Sequence, residues 1–107
     1  MKRIHLEKIM EYTELEKKVI ETFGSYLNYE SLEDNLNDNA TFFTFTEAEI
    51  LTEIKPEQLK GVISSLVKKG ICYIDDSTIY SINYESLFLV TNAGVETYYR
   101  LKEEENV

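Results

Sequence analysis

The single proline does most to limit what this chain can fold into. Pro56 stands between two apolar-patterned stretches. Proline disfavours helix at the residue before it and suits the first turn of a new helix. Lys55-Pro56 therefore ends one helix and starts the next with almost no linker. Behind it, Leu59, Val62, Ile63, Leu66 and Val67 share one face of a helix over residues 56–69. Gly70 takes the usual C-terminal glycine position, and Lys68 and Lys69 complement the dipole in the last turn. Past Gly70 the pattern turns extended. Ile71-Cys72-Tyr73-Ile74, a turn at Asp75-Asp76-Ser77 and a run over 78–82 read as a β-hairpin.

Upstream, Thr46-Glu47-Ala48-Glu49 has the spacing of a capping box. It predicts a short helix through Ile54, with Ala48, Ile50, Leu51 and Ile54 as its apolar residues. Thr41-Phe42-Phe43-Thr44-Phe45 is short and β-prone. Thr13-Glu14-Leu15-Glu16 is another capping box, opening an amphipathic helix over 13–29 that carries Leu15, Val19, Ile20, Phe23, Tyr26 and Leu27. Between these elements, residues 30–40 are acidic and rich in Asn, and read as a solvated connection. After the hairpin, Leu87-Phe88-Leu89-Val90 predicts a buried strand. Thr91 caps a last helix with Val95, Tyr98, Tyr99 and Leu101, Tyr98 and Tyr99 offering exposed aromatic area.

At 107 residues the chain is one domain. The reading divides it into an arm or short helix over 1–12, a first helix and acidic loop over 13–40, a central unit over 41–101 and a frayed tail over 102–107. Cys72 is the only cysteine, which excludes an internal disulfide and favours the cytoplasm. Its apolar neighbours make it a core residue rather than a nucleophile. His5 is the only histidine, so neither a catalytic triad nor a His/Cys zinc site is expected. No signal peptide, membrane span, phosphate loop or cofactor motif is legible. The reading is of a protein that is not an enzyme, with no metal and no cofactor. The Asn39-Ala40-Thr41 sequon is a chance match.

In order, the elements are helix, strand, short helix, tight turn, longer helix, hairpin and helix. That order is α+β and has the plan of a winged helix-turn-helix: a three-helix core, a β-hairpin wing, and flanking N- and C-terminal helices. Leu66-Val67-Lys68-Lys69-Gly70-Ile71 resembles the end of a recognition helix entering a wing strand. Leu89-Val90-Thr91-Asn92-Ala93-Gly94 resembles the leucine–threonine–x–x–glycine step after the wing. Both motifs are similar to those of MarR-type and PadR-type transcriptional regulators, over about residues 41–101. The resemblance implies operator binding through the helix at 56–69. Two features depart from the family pattern. The expected wing tip is anionic, and the chain is short for a MarR-type dimer, although the helices at 13–29 and at the C-terminus are candidates to pair two copies.

Charge sharpens this expectation. Eleven bases against 20 acids give a formal net of −9. Yet residues 55–70 hold Lys55, Lys60, Lys68 and Lys69 against Glu57, a net of +3, while the other 91 residues hold seven bases and 19 acids, a net of −12. Lys60, Ser64 and Lys68 recur at every fourth position, opposite the apolar stripe. They are the first candidates for contact with double-stranded DNA, followed by Lys55, Gln58, Ser65 and Lys69. The competing reading is an acidic winged-helix interaction module that binds a basic protein partner, such as a phage or mobile-element DNA mimic or inhibitor of a host nucleic-acid-binding protein. Neither reading involves a membrane.

Overall fold

The computed structural model describes residues 11–75 and 86–105. The expectations placed on residues 1–10, 76–85 and 106–107, including His5, the Asp76-Ser77 tip and the second hairpin run, lie outside them. Among the described residues the fold is α+β, with five α-helices and a three-stranded antiparallel sheet. The helices are α1 Glu14–Glu21, α2 Leu32–Asn37, α3 Phe45–Thr52, α4 Pro56–Lys68 and α5 Asn92–Glu105. The strands are β1 Phe42–Thr44, β2 Cys72–Ile74 and β3 Leu87–Val90, in the order β1-β3-β2.

Helix α1 opens as its sequence dictates. Thr13 Oγ1 accepts from the Glu16 amide at 3.1 Å, and Glu16 Oε1 accepts from the Thr13 amide at 2.9 Å. The helix is shorter than the expected 13–29. The chain tightens into a 3-10 turn at Thr22–Ser25, closed by the Tyr26 amide on the Phe23 carbonyl. There the Tyr98 ring lies so close to Gly24 that a Cβ would meet its hydroxyl. Tyr98 is therefore a packing residue, not free aromatic surface.

The acidic connection is more ordered than its composition suggests. Ser31 caps α2, and Asn35 is buried at its centre. The Asn35 amide nitrogen donates to the Tyr29 and Ser31 carbonyls and to the Tyr99 hydroxyl, and its oxygen accepts from the Tyr29 amide. This pins α2 against α5 and occupies Tyr99. A buried amide with all these partners holds a loop in place as firmly as an apolar anchor does.

Helix α3 begins two residues earlier than expected. Two T-x-x-E boxes overlap here, and Thr44 with Glu47 forms the one observed. The earlier start places Phe45 in the first turn, where it is fully buried. The helix stops at Thr52 rather than Ile54 because Glu53 turns left-handed at φ 61°, letting the chain reach Lys55-Pro56. Its buried residues are Phe45, Ala48 and Thr52; Ile50 and Leu51 face outward.

Strand β2 pairs with β3 in the register Cys72↔Val90, Tyr73↔Leu89, Ile74↔Phe88. Strand β1 pairs with the other edge of β3, Phe43 opposite Phe88. Phe43 is the hub of the core: its ring lies 5.7 Å from Phe23, 5.3 Å from Tyr26 and 5.2 Å from Phe88. Such contacts add to area burial. Cys72 sits in this core, and burial pushes its thiol up to about 12. The C-terminal helix continues through Glu105, past the tail expected to fray at 102.

The two motifs that carry the family resemblance touch. Gly70, at φ 80°, ends α4, with its amide on the Val67 carbonyl and the Ile71 amide on the Leu66 carbonyl. The Thr91 hydroxyl lies 2.6 Å from the Gly70 carbonyl and 2.9 Å from that of Ile71, and accepts from the Gly94 amide. A Cβ at Gly94 would stand 2.3 Å from the Ile71 carbonyl oxygen, so only glycine lets α5 approach so closely.

Candidate nucleic-acid interface

Helix α4 positions the candidate residues. Leu59, Ile63 and Leu66 are fully buried and fix its rotation. Helix α1 packs along one flank and β2 follows its C-terminal end. The lysines at 55, 60 and 68 and Gln58 are exposed, and Ser64 is half-buried. Among the described residues, the ion pairs are Lys17–Glu14 and Lys69–Glu16, so Lys55, Lys60 and Lys68 have no ionic partner there. At Gly61, on the same outer side, a Cβ would find nothing within 4 Å, so another molecule can come close to the helix backbone. Glu57 is the one acid on this face, in the first turn where the dipole favours it.

Ser65 and Lys69 are placed differently. Both point toward α1 and hold Glu16, whose side chain is 4% exposed. Ser65 Oγ donates to Glu16 Oε2 at 2.5 Å, and Lys69 Nζ lies 2.9 Å from Glu16 Oε1. The same ammonium reaches the Glu11 carbonyl at 3.1 Å and stands 4.9 Å from the centre of the Tyr12 ring. Burial pushes the Glu16 carboxyl up. The bonds from Ser65, Lys69 and the Thr13 amide, with the charge of Lys69, outweigh that and hold it below the usual carboxylate value of 4.5. The seven candidates thus split: five lie on or beside the open face, and two belong to an internal clamp between helices.

Glu16 is legible as a capping residue; its second role, as the buried acceptor for Ser65 and Lys69, is the one the reading did not include. Its signal was its place one turn before Val19 and Ile20, which puts it on the buried stripe of α1. A carboxylate on such a stripe needs a cation from a facing element.

Among the described residues, no group of three or more His, Cys, Asp or Glu side chains could hold a metal ion. No helix among them is long and apolar enough to cross a membrane. Comparison with protein-family models, curated proteins and solved structures finds no match to this chain.

Proposed function

We propose that the protein is a small winged-helix DNA-binding protein, a transcriptional regulator that occupies duplex DNA through the outer face of α4. The observation that carries this reading is the open row of Lys60, Ser64 and Lys68, with both lysines exposed and without ionic partners among the described residues. The element order and the central position of β3 support it: helix, strand, two helices across a tight turn, then two strands and a closing helix is the winged-helix plan. In that plan α4 enters the major groove. Lys60 and Lys68 neutralise phosphates on either side of Ser64, Lys55 adds a contact at the N-terminus of the helix, and Gln58 is of a type that reads base edges. Ser65 and Lys69 hold the helix at its angle and do not touch DNA. The mechanism is occupancy of a site.

The test is a salt series of binding to mixed-sequence duplex DNA, with wild type and with Lys60→Glu/Lys68→Glu. Wild type binds at low salt and weakens linearly on a log–log scale. The double variant flattens that slope by about 2, one per lost phosphate contact. Absence of low-salt binding by the wild type, or an unchanged slope in the variant, overturns the reading.

A further inference from the structure

Helix α3 presents a second surface that the α4 face does not explain. Ile50 is 68% exposed and Leu51 49%, adjacent residues on a helix that buries Phe45, Ala48 and Thr52 on its other side. Single exposed apolar residues are ordinary. These two line a shallow groove with Tyr26 and Ser25 of the preceding turn, and Glu47 completes its wall. All five residues come from one stretch of sequence. Residues 19–54 contain eight carboxylates (Glu21, Glu30, Glu33, Asp34, Asp38, Glu47, Glu49 and Glu53) and not one Lys, Arg or His.

That charge decides the occupant. A second copy seated symmetrically would bring the same cation-free stretch against itself, and like charges across an interface are repulsive. A phosphate backbone meets the same repulsion. We propose that this groove docks a basic amphipathic segment of another protein, which inserts apolar side chains between Tyr26 and the Ile50–Leu51 pair and sets Lys or Arg against Glu47 in its wall and the other carboxylates of α3 and its end, Glu49 and Glu53. The apolar contact supplies affinity; the charges supply approach rate and selection among partners. The surface stands whether or not α4 meets DNA, because the two faces share no residue.

The test uses the full chain, 15N-labelled, and three synthetic 16-residue peptides: an amphipathic Leu/Lys sequence, its Leu/Glu counterpart, and a version with Ser in place of Leu. The Leu/Lys peptide shifts the amide resonances of Ser25, Tyr26 and α3, and the other two do not. The decisive variant is Ile50→Asp. Ionic attraction alone makes it bind the Leu/Lys peptide more tightly, since it adds an acid. An apolar groove makes it bind roughly tenfold more weakly, the effect of about 1.4 kcal/mol. An unchanged urea midpoint shows that the variant is folded, and Lys60→Glu/Lys68→Glu binds the peptide at least as well as wild type. The proposal is overturned if no binding is seen, if the Ser peptide binds equally well, if the shifts fall on α5, or if Ile50→Asp does not weaken binding. It is also overturned if sedimentation shows that wild type self-associates and Ile50→Asp does not.

Discussion

Helices α3 and α4 are neighbours in sequence, joined across Glu53, Ile54 and Lys55, yet they use opposite strategies toward solvent. Helix α4 buries its long apolar residues and offers lysines. Helix α3 buries Phe45 and Ala48, offers Ile50 and Leu51, and carries Glu47 and Glu49 without a cation. A short helix at the corner of a small domain has room inside for only one row of side chains. In α3 that row is taken by Phe45, Ala48 and Thr52. The remaining apolar residues are left outside, and their composition cannot be explained by the core.

The sharpest way to break this contrast is to shorten one apolar side chain on each helix. Ile63→Ala in α4 should cost about 3 kcal/mol, since a filled interior position becomes a cavity. Ile50→Ala in α3 should stay within about 0.5 kcal/mol, as surface substitutions do. Urea midpoints at constant slope measure both. A comparable loss at Ile50 would mean that α3 packs differently from the structure.

Next comes the clamp that sets the angle of α4. Glu16→Gln should cost about 2 kcal/mol at neutral pH, because Lys69 loses its anionic partner and the oxygen that accepts from Ser65 is replaced by an amide donor. The sign of the pH dependence follows from the lowered Glu16 carboxyl. Its stabilisation is fully present above the ordinary value of 4.5 and is lost as pH falls through the folded value. Stability curves between pH 2 and 7 should therefore fall more steeply on the acid side for wild type than for the variant.

The two adjacent serines of α4 refine the comparison. Ser65→Ala should cost about 1 kcal/mol, because it removes a donor to a buried carboxylate. Ser64→Ala should leave stability unchanged within about 0.5 kcal/mol and act only on DNA affinity. Thermal unfolding and duplex binding of the same two variants separate these effects. One small expected change is a gain. Glu53→Gly should stabilise by about 0.7 kcal/mol, since the left-handed corner between the helices strains any residue with a Cβ.

Where the reading of the sequence succeeded, a local rule governed. Thr13 with Glu16, Pro56 and Gly70 each act within one turn of their own position, so the start of α1 and the whole of α4 were legible. Where it missed, the deciding partner was far away. Ser65 and Lys69 look like surface residues until Glu16 arrives from 49 and 53 positions upstream. Asn35 looks like a loop residue until Tyr99 reaches it from 64 positions on. Helix α3 was displaced by two residues because two capping boxes overlap and only the burial of Phe45 chooses between them. The pairing of β2 with β3 was not legible for a related reason: the turn signal at 75–77 is local, whereas that pairing is not.

The strand order carries a last consequence, one of timing. Among the described strands, β3 is the middle of the sheet, and it is made last. As the chain leaves the ribosome, β1 waits for more than 40 further residues before the strand it pairs with, β3, exists, and β2 waits for the same strand. Phe43, the hub of the finished core, spends that interval without Phe88. The earliest helices can form turn by turn as they emerge, but closure of the core waits for Leu87 to Val90 and for Val95 and Leu101 behind them. A nascent chain stalled before that strand is the state in which this protein is most open to aggregation.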